Sequence, residues 1–358
     1  MTPRPASRSL SDAAATGVPP TAPATGAGAR VTVRDVARAA GVSQPTASLV
    51  LGNHPTARVA PATRARVLAA AHALGYRPNV LARGLARGRS FALGVIVPDL
   101  RNPFFADVVS GAERVAGAAG YALLLCGAAE RPAGEHLATL VSRQIDGVII
   151  DAVNAAALDE DALAGLNVVL VDEPSEQWPG VASDALDAGR QATTHLLALG
   201  HTRLAFIGPA ADVHAFRMRE RGFVQRLREA GLSLPSPMLR RAPATVRGGD
   251  EAMRALLAER TRPTAVFCAN DLVAIGALKR CAAAGVRVPA ELSIVGCDDI
   301  EMARLVTPEL TTVAVPAREL GARAARLLVR QLGGEPPRAR AALLPVKLVA
   351  RGTSGPVS

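Results

Sequence analysis

Twelve arginines fall within the first 90 residues of this 358-residue chain, at positions 4, 8, 30, 34, 38, 58, 64, 66, 77, 83, 87 and 89. Two carboxylates, Asp12 and Asp35, oppose them, a local net charge of +10. The rest of the chain holds 29 basic and 29 acidic side chains, so the whole excess sits in the first quarter. Guanidinium groups stay charged at any physiological pH and pair with phosphate oxygens in bidentate fashion. Gathered this densely, they are the electrostatic footprint of a nucleic-acid-binding segment. A basic unstructured tail is the other way to produce such a count, but only Arg4, Arg8 and Arg30 lie before residue 31.

Covalent and redox chemistry have no comparable footprint. No G-x-S-x-G, phosphate-binding P-loop or H-E-x-x-H motif occurs. The six histidines (His54, His72, His136, His195, His201, His214) lack metal-ligand spacing, and His195 and His201 flank a helix end where capping would occupy them. Cys126, Cys268, Cys281 and Cys297 form no C-x-x-C pair and read as buried free thiols of a reducing compartment. No cofactor and no metal are expected. A dinucleotide-binding dehydrogenase is the main enzyme alternative, but the apolar run Phe91–Val97 leads into Pro98-Asp99-Leu100 and not a glycine-rich turn. No run approaches the ~20 apolar residues of a membrane span. The first 30 residues, rich in Ala, Pro, Thr and Ser, lack the apolar core of a signal peptide, so a cytoplasmic protein is expected.

The arginine-rich quarter must be built from helices. Thr32 can cap a helix, with Asp35 three residues on as the partner of a capping box. Val33, Val36, Ala37 and Ala40 then recur at helical spacing, and Gly41 supplies a turn. Ser43 caps a second helix carrying Ala47, Val50 and Leu51, with Pro45 in its first turn where a missing N–H costs nothing. A third helix after Pro61 places Val67, Ala71 and Leu74 inward and ends at Gly75. Two short helices joined by a glycine turn and closed by a third make a helix-turn-helix domain. On pattern alone, another small Ala-rich bundle fits too.

From Phe91 onward, apolar runs alternate with helical stretches. Strands are expected at Phe91–Val97, Tyr121–Cys126, Gly147–Ile150, Val168–Val171, Leu204–Ile207, Ala265–Cys268 and Ser293–Gly296, with later ones at Leu310–Val313 and Leu343–Val349. Helical stretches between them include Asp107–Ala119, Ala188–Leu199, Arg219–Ala230, Gly248–Arg260 and Leu272–Ala284. Such alternation argues for parallel, doubly wound sheets, and two sets suggest two lobes of similar build. The composition is 49% hydrophobic but only 3% aromatic, so Ala, Val and Leu must fill both cores.

These residues resemble a known family. Val31-Thr32-Val33-Arg34-Asp35-Val36-Ala37, Ala40-Gly41-Val42-Ser43 and Thr46-Ala47-Ser48 are similar to the headpiece of lactose/galactose repressor (LacI/GalR) family regulators. So are Leu74-Gly75-Tyr76-Arg77-Pro78-Asn79, Gly94-Val95-Ile96-Val97-Pro98, Asn102-Pro103-Phe104-Phe105, Ala269-Asn270-Asp271 and Leu310-Thr311-Thr312. The resemblance runs from Val31 to about Arg351. It implies an all-α helix-turn-helix headpiece with a hinge, then an α/β core of two doubly wound parallel-sheet lobes like that of periplasmic binding proteins. The expected boundaries are a disordered tail at 1–29, the headpiece at 30–77, the hinge at 78–90, an effector-binding and dimerisation domain at 91–352, and a tail at 353–358.

The resemblance also assigns roles. Double-stranded operator DNA would be read by Gln44 and Ser48 on a recognition helix spanning Ser43 to Val50, with Thr46 on phosphate. Thr32, Leu49 and Asn53 join them at the interface. Leu49 stands where the family usually carries a guanine-reading Arg, and Pro45 removes a second reading side chain, so the operator should depart from the family's usual sequence. Asn79, Ala82, Arg83 and Leu85 match the hinge, in which a Leu wedges into the minor groove; a plain basic linker is the alternative. A small-molecule effector, a sugar or related metabolite, would meet Asp172, Arg219, Asn270 and Asp298 between walls offered by Phe104, Phe105 and Phe216. A homodimer is expected. A periplasmic solute-binding protein would share the core but not the headpiece.

Overall fold

Thr32 and Asp35 close the first helix as the sequence requires. The Asp35 N–H donates to Thr32 Oγ1 at 3.4 Å, and the Thr32 N–H donates back to Asp35 Oδ2 at 3.0 Å. The computed structural model describes residues 31–52, 58–77, 88–129, 131–151, 163–209, 213–336 and 342–357. Two compact units emerge, divided after Asn79.

In the first unit, α1 (Val33–Ala40) ends at Gly41, whose φ of 62° is the left-handed conformation the turn needs. Ser43 Oγ accepts from the Thr46 N–H at 3.3 Å and starts α2 (Gln44–Leu51). The third helix, α3 (Pro61–Ala73), begins after Ala60 without a side-chain cap. Val36, Ala37, Ala40, Ala47, Val50, Val67 and Ala71 form the buried core. Leu74, expected inward, is instead 39% exposed. It lies past the last helical residue, where the chain reverses at Gly75, and half-buried Tyr76 packs on the core there instead. The expected tail at 1–29, Asn53, and the hinge residues Asn79, Ala82, Arg83 and Leu85 lie outside the described residues.

The second unit holds two six-stranded sheets. One contains β1 (Ala92–Val97), β2 (Ala122–Gly127), β3 (Gly147–Asp151), β4 (Asn167–Val171), β5 (Gly180–Ser183) and, late in the chain, β11 (Ala342–Leu344). The other contains β6 (Leu204–Gly208), β7 (Leu239–Arg241), β8 (Ala265–Cys268), β9 (Ser293–Asp298), β10 (Thr311–Ala314) and β12 (Lys347–Val349). The strand orders, 2-1-3-4-5-11 and 7-6-8-9-10-12, are the same pattern twice. Every pairing is parallel except β10 with β12. The single strand expected over Leu343–Val349 is in fact two. Pro345, which has no N–H to donate to a ladder, separates β11 in one sheet from β12 in the other.

Seven described helices cover the sheets: α4 (Pro103–Ala118), α5 (Ala133–Ser142), α6 (Ala185–Ala198), α7 (His214–Glu229), α8 (Val246–Leu257), α9 (Asp271–Ala283) and α10 (Ala317–Leu332). Three pairs cross at reciprocal glycines. A Cβ on Gly111 of α4 would overlap the Arg318 carbonyl of α10, and one on Gly321 would overlap that of Val108. Gly189 and Gly222 do the same for α6 and α7, Gly249 and Gly276 for α8 and α9. Only hydrogen in place of a side chain allows helix backbones this close. The chain crosses between lobes after β5, after β10 through Val315 and Pro316, and between β11 and β12.

Residues 353–357 were expected to trail off and do not. Thr353 is fully buried: its Oγ1 accepts from the Thr311 N–H at 2.8 Å and donates to the Ile294 carbonyl at 2.7 Å. His195 and His201 hold this segment and do not merely cap a helix. The His195 Nε2 lies 2.8 Å from Ser354 Oγ, and the His201 Nε2 lies 3.1 Å from the Gly355 carbonyl. Among the described residues, no helix is long and apolar enough to cross a membrane.

Candidate functional site

Arg219 is the centre of the core's polar chemistry. It lies in the second turn of α7, which starts at His214, one turn earlier than the sequence suggested. Its side chain is only 3% exposed. Nη2 sits 3.0 Å from Asp298 Oδ1, and Nη1 donates to the Ala269 carbonyl at 2.5 Å. The guanidinium carbon stands 5.4 Å from the Phe216 ring centroid, while Nε is buried without a partner. A guanidinium taken out of water needs such a carboxylate, since an unpaired buried charge costs several kcal/mol, roughly 3–5.

The carboxylates come from strand ends. Asp298 is the last residue of β9, Asp299 follows it, and Asp172 follows β4. All three have positive φ, at 125°, 56° and 56° for Asp298, Asp299 and Asp172 respectively. Few side chains other than Asn and Asp adopt that region readily, and strained backbone of this kind concentrates at binding sites. Asp172 Oδ1 accepts from the Ser183 N–H at 2.7 Å and from its hydroxyl at 2.9 Å. Asp172 is also close enough to act on the charges of Arg219, Asp298 and His214. Burial pushes the Asp298 carboxyl upward in pKa, and the Arg219 guanidinium pulls against it.

Asp271, which the sequence showed as part of the Ala269-Asn270-Asp271 motif, is a strut. Its Oδ2 accepts from the Ile300 N–H at 2.9 Å and its Oδ1 from the Thr312 hydroxyl at 2.5 Å. It thereby ties the start of α9 to β10 and to the loop after Asp298. Arg351 does similar work from the far end of the chain, reaching Asp299 at 2.5 Å and the Leu310 carbonyl at 2.8 Å. Sequence reasoning passed over both residues as site builders, although Asp271 and Thr312 stood inside motifs it had noticed. Arg351 had no local signal.

A cavity of about 340 Å³ opens where the lobes meet. Phe104, Asp107, Arg318 and Glu319 line it from one lobe, Asp298, Asp299 and Ile300 from the other, and Val315 and Pro316 from the crossover between them. Of the effector candidates, Phe104 and Asp298 reach the wall, and Arg219 stands behind Asp298. Phe105 instead meets Phe104 edge-on at 5.3 Å. The Asn270 carbonyl oxygen is occupied as the N-cap of α9, accepting from the Val273 N–H at 3.0 Å. Neither residue lines the cavity. Carboxylates outnumber cations on this wall: Asp107, Asp298, Asp299 and Glu319 face Arg318, which itself pairs with Asp107 at 2.8 Å. Asp298, Asp299 and Glu319 are likewise paired, with Arg219, Arg351 and Arg323, so the wall presents carboxylate oxygens as hydrogen-bond acceptors whose charge is already balanced.

In the headpiece, Gln44, Ser48 and Leu49 are exposed on α2. Three other candidates have committed hydroxyls. Thr32 Oγ1 donates to Asp35 Oδ2 at 2.7 Å, and the Ser43 and Thr46 hydroxyls lie 2.8 Å apart.

Comparison with known proteins agrees with this anatomy. Residues 32–79 match the model for bacterial regulatory proteins of the lacI family, and residues 193–354 match that for the periplasmic binding protein-like domain. The chain is 32% identical to the HTH-type transcriptional regulator DegA of Bacillus subtilis, over 92% of this chain and 99% of that one. The lac repressor dimer bound to operator and the anti-inducer ONPF superposes with a TM-score of 0.80 at 30% identity, covering 91% of this chain and all of that one. The regulator CelR in complex with cellobiose gives a TM-score of 0.68 at 31% identity, over 90% of this chain and all of that one. With its helix-turn-helix headpiece and its two-lobed α/β core, the chain belongs to the lacI family of bacterial transcriptional regulators.

Proposed function

We propose that this regulator is a repressor that binds its operator as a homodimer and is switched by an uncharged, polyhydroxylated small molecule held between the lobes. The observation that carries the effector reading is the buried Arg219–Asp298 pair behind a carboxylate-rich wall. Hydroxyl groups can donate to the lone pairs those carboxylates keep beside their arginine partners. Arg318, the cation lining the cavity, is already paired with Asp107, so among the described residues the wall holds no free cation for a phosphorylated or carboxylated ligand. The cavity suits a ligand of sugar size, and the cellobiose complex of CelR supports a sugar. Gln44, Ser48 and Leu49 face operator bases, and a helix-turn-helix dimer reads two half-sites about one helical turn apart.

Thermal-shift titration of the full chain tests the ligand class with neutral sugars and polyols, nucleosides, sugar acids and sugar phosphates. A ligand at about 100 times its dissociation constant adds roughly 2.7 kcal/mol. The reading predicts stabilisation by a neutral polyol and by no anion. Stabilisation by nucleosides alone would shift the assignment to a base-bearing ligand. Stabilisation by sugar phosphates alone would overturn it. A true effector must also change operator affinity, which gel shifts with and without it will show.

A further inference from the structure

The exposed face of α2 carries no charge. None of the eight residues from Gln44 to Leu51 is acidic or basic. Ala47 and Val50 are buried and Leu51 half-buried on the core side. Gln44, Pro45, Ser48 and Leu49 are all exposed. At 3.6 residues per turn, those four occupy one continuous face. Its edges differ: Gln44 and Ser48 stack one turn apart as a polar edge, and Pro45 and Leu49 stack as an apolar one. Leu49 is 40% exposed, so the headpiece core does not use it.

The second helix of a helix-turn-helix lies in the major groove. There, guanine presents two acceptors suited to Arg or Lys, and this face has neither. Adenine presents the acceptor and donor that an amide such as Gln matches, and thymine alone of the four bases carries a methyl group. We infer that Leu49, flanked by Pro45, packs on the C5-methyl of a thymine in each half-site and is a specificity-determining residue of this regulator. The assignment rests on the DNA-binding reading and adds to it which base feature the apolar edge takes. The operator half-site then centres on A·T pairs, and the arginines elsewhere in the headpiece supply phosphate contacts without sequence preference.

The test uses the full-length protein and duplexes that it selects from a random pool. At fixed salt, each thymine of the selected sequence is replaced in turn by deoxyuridine, which removes only the methyl group. One thymine per half-site should respond with an affinity loss of about fourfold, the worth of one buried methyl. Leu49→Ala should abolish that response, and Leu49→Arg should select guanine at the same position. Both variants should keep the wild-type circular dichroism, because the side chain is outside the core. Wild-type affinity unchanged by deoxyuridine at every thymine would overturn the assignment. So would an equal deoxyuridine response in Leu49→Ala. Failure to enrich any sequence would instead overturn the DNA-binding reading.

Discussion

Gly189 lies against the backbone carbonyl of Arg219, so close that a Cβ on the glycine would overlap the oxygen. The contact is reciprocated by Gly222 against the Leu186 carbonyl. Two glycines therefore set the height of α7 over α6, and with it the reach of the Arg219 guanidinium toward Asp298. Gly189→Ala should displace α7 and cost about 1–3 kcal/mol of stability, the range for overpacking a close contact. Effector affinity should fall as well, while the isolated headpiece surface is untouched. Calorimetric unfolding together with effector titration checks this. A variant with unchanged melting temperature and affinity would show that α7 tolerates the shift.

The buried Arg219–Asp298 pair ties the proposed effector site to the stability of the core. Since both side chains are less than a tenth exposed, either single substitution, Arg219→Ala or Asp298→Ala, should destabilise by about 3–5 kcal/mol through the orphaned charge. The double variant Arg219→Met with Asp298→Asn should recover much of that loss, because the charge is removed from both partners while Asn, isosteric with Asp, keeps the positive-φ backbone at position 298. It should still fail to respond to effector. Recovery of stability and response together would place the effector elsewhere.

Acid should weaken the core through its histidines. Burial lowers the pKa of His195 and of His201 below 6.5, the ordinary value. A depressed histidine favours the neutral folded state, so its contribution is complete above about pH 6.5. It is lost as pH falls from there through the folded pKa, where the unfolded chain binds more protons. Asp298 and Asp271, whose carboxyls burial pushes up to about 7 and about 6, work in the opposite direction over the same range. The histidine contribution therefore appears as a melting temperature that falls in wild type relative to His201→Gln between pH 7 and pH 5, with release of the segment at Ser354 and Gly355. His201→Gln retains a donor near the Gly355 carbonyl and removes the titrating ring, so it should lose less stability than wild type on acidification. An unchanged slope in that variant would assign the acid sensitivity to other groups.

Leu85 tests how effector and operator communicate. If the segment 78–90 is a hinge that wedges into the minor groove, Leu85→Ala should weaken operator binding by several-fold or more and leave binding to random DNA nearly unchanged. Effector affinity without DNA should not move. Operator and random-sequence affinities at one salt concentration decide it. Equal losses on both would make the segment a charged tether, whose contribution would vanish together with nonspecific binding at high salt.

The sequence by itself determined what is local. Thr32 with Asp35, Gly41, and Ser43 before Pro45 specify caps and turns through neighbours within four residues, and the helices formed where those signals stood. The alternation of strands and helices likewise revealed two parallel-sheet lobes, because a strand buried on both faces must be apolar throughout. What the tertiary structure decided depends on residues far apart in the chain. Pro345 splits a strand, but only the arrangement of the sheets sends its halves to different lobes. Arg351 reaches Asp299 across 52 positions, and Asp271 reaches Thr312 across 41, separations at which no periodicity carries information. Asn270 and Asp298 look alike as polar residues at strand ends. The fold spends the first on a helix cap and leaves the second facing a cavity, because hydrogen-bonding groups buried together must share a limited set of partners.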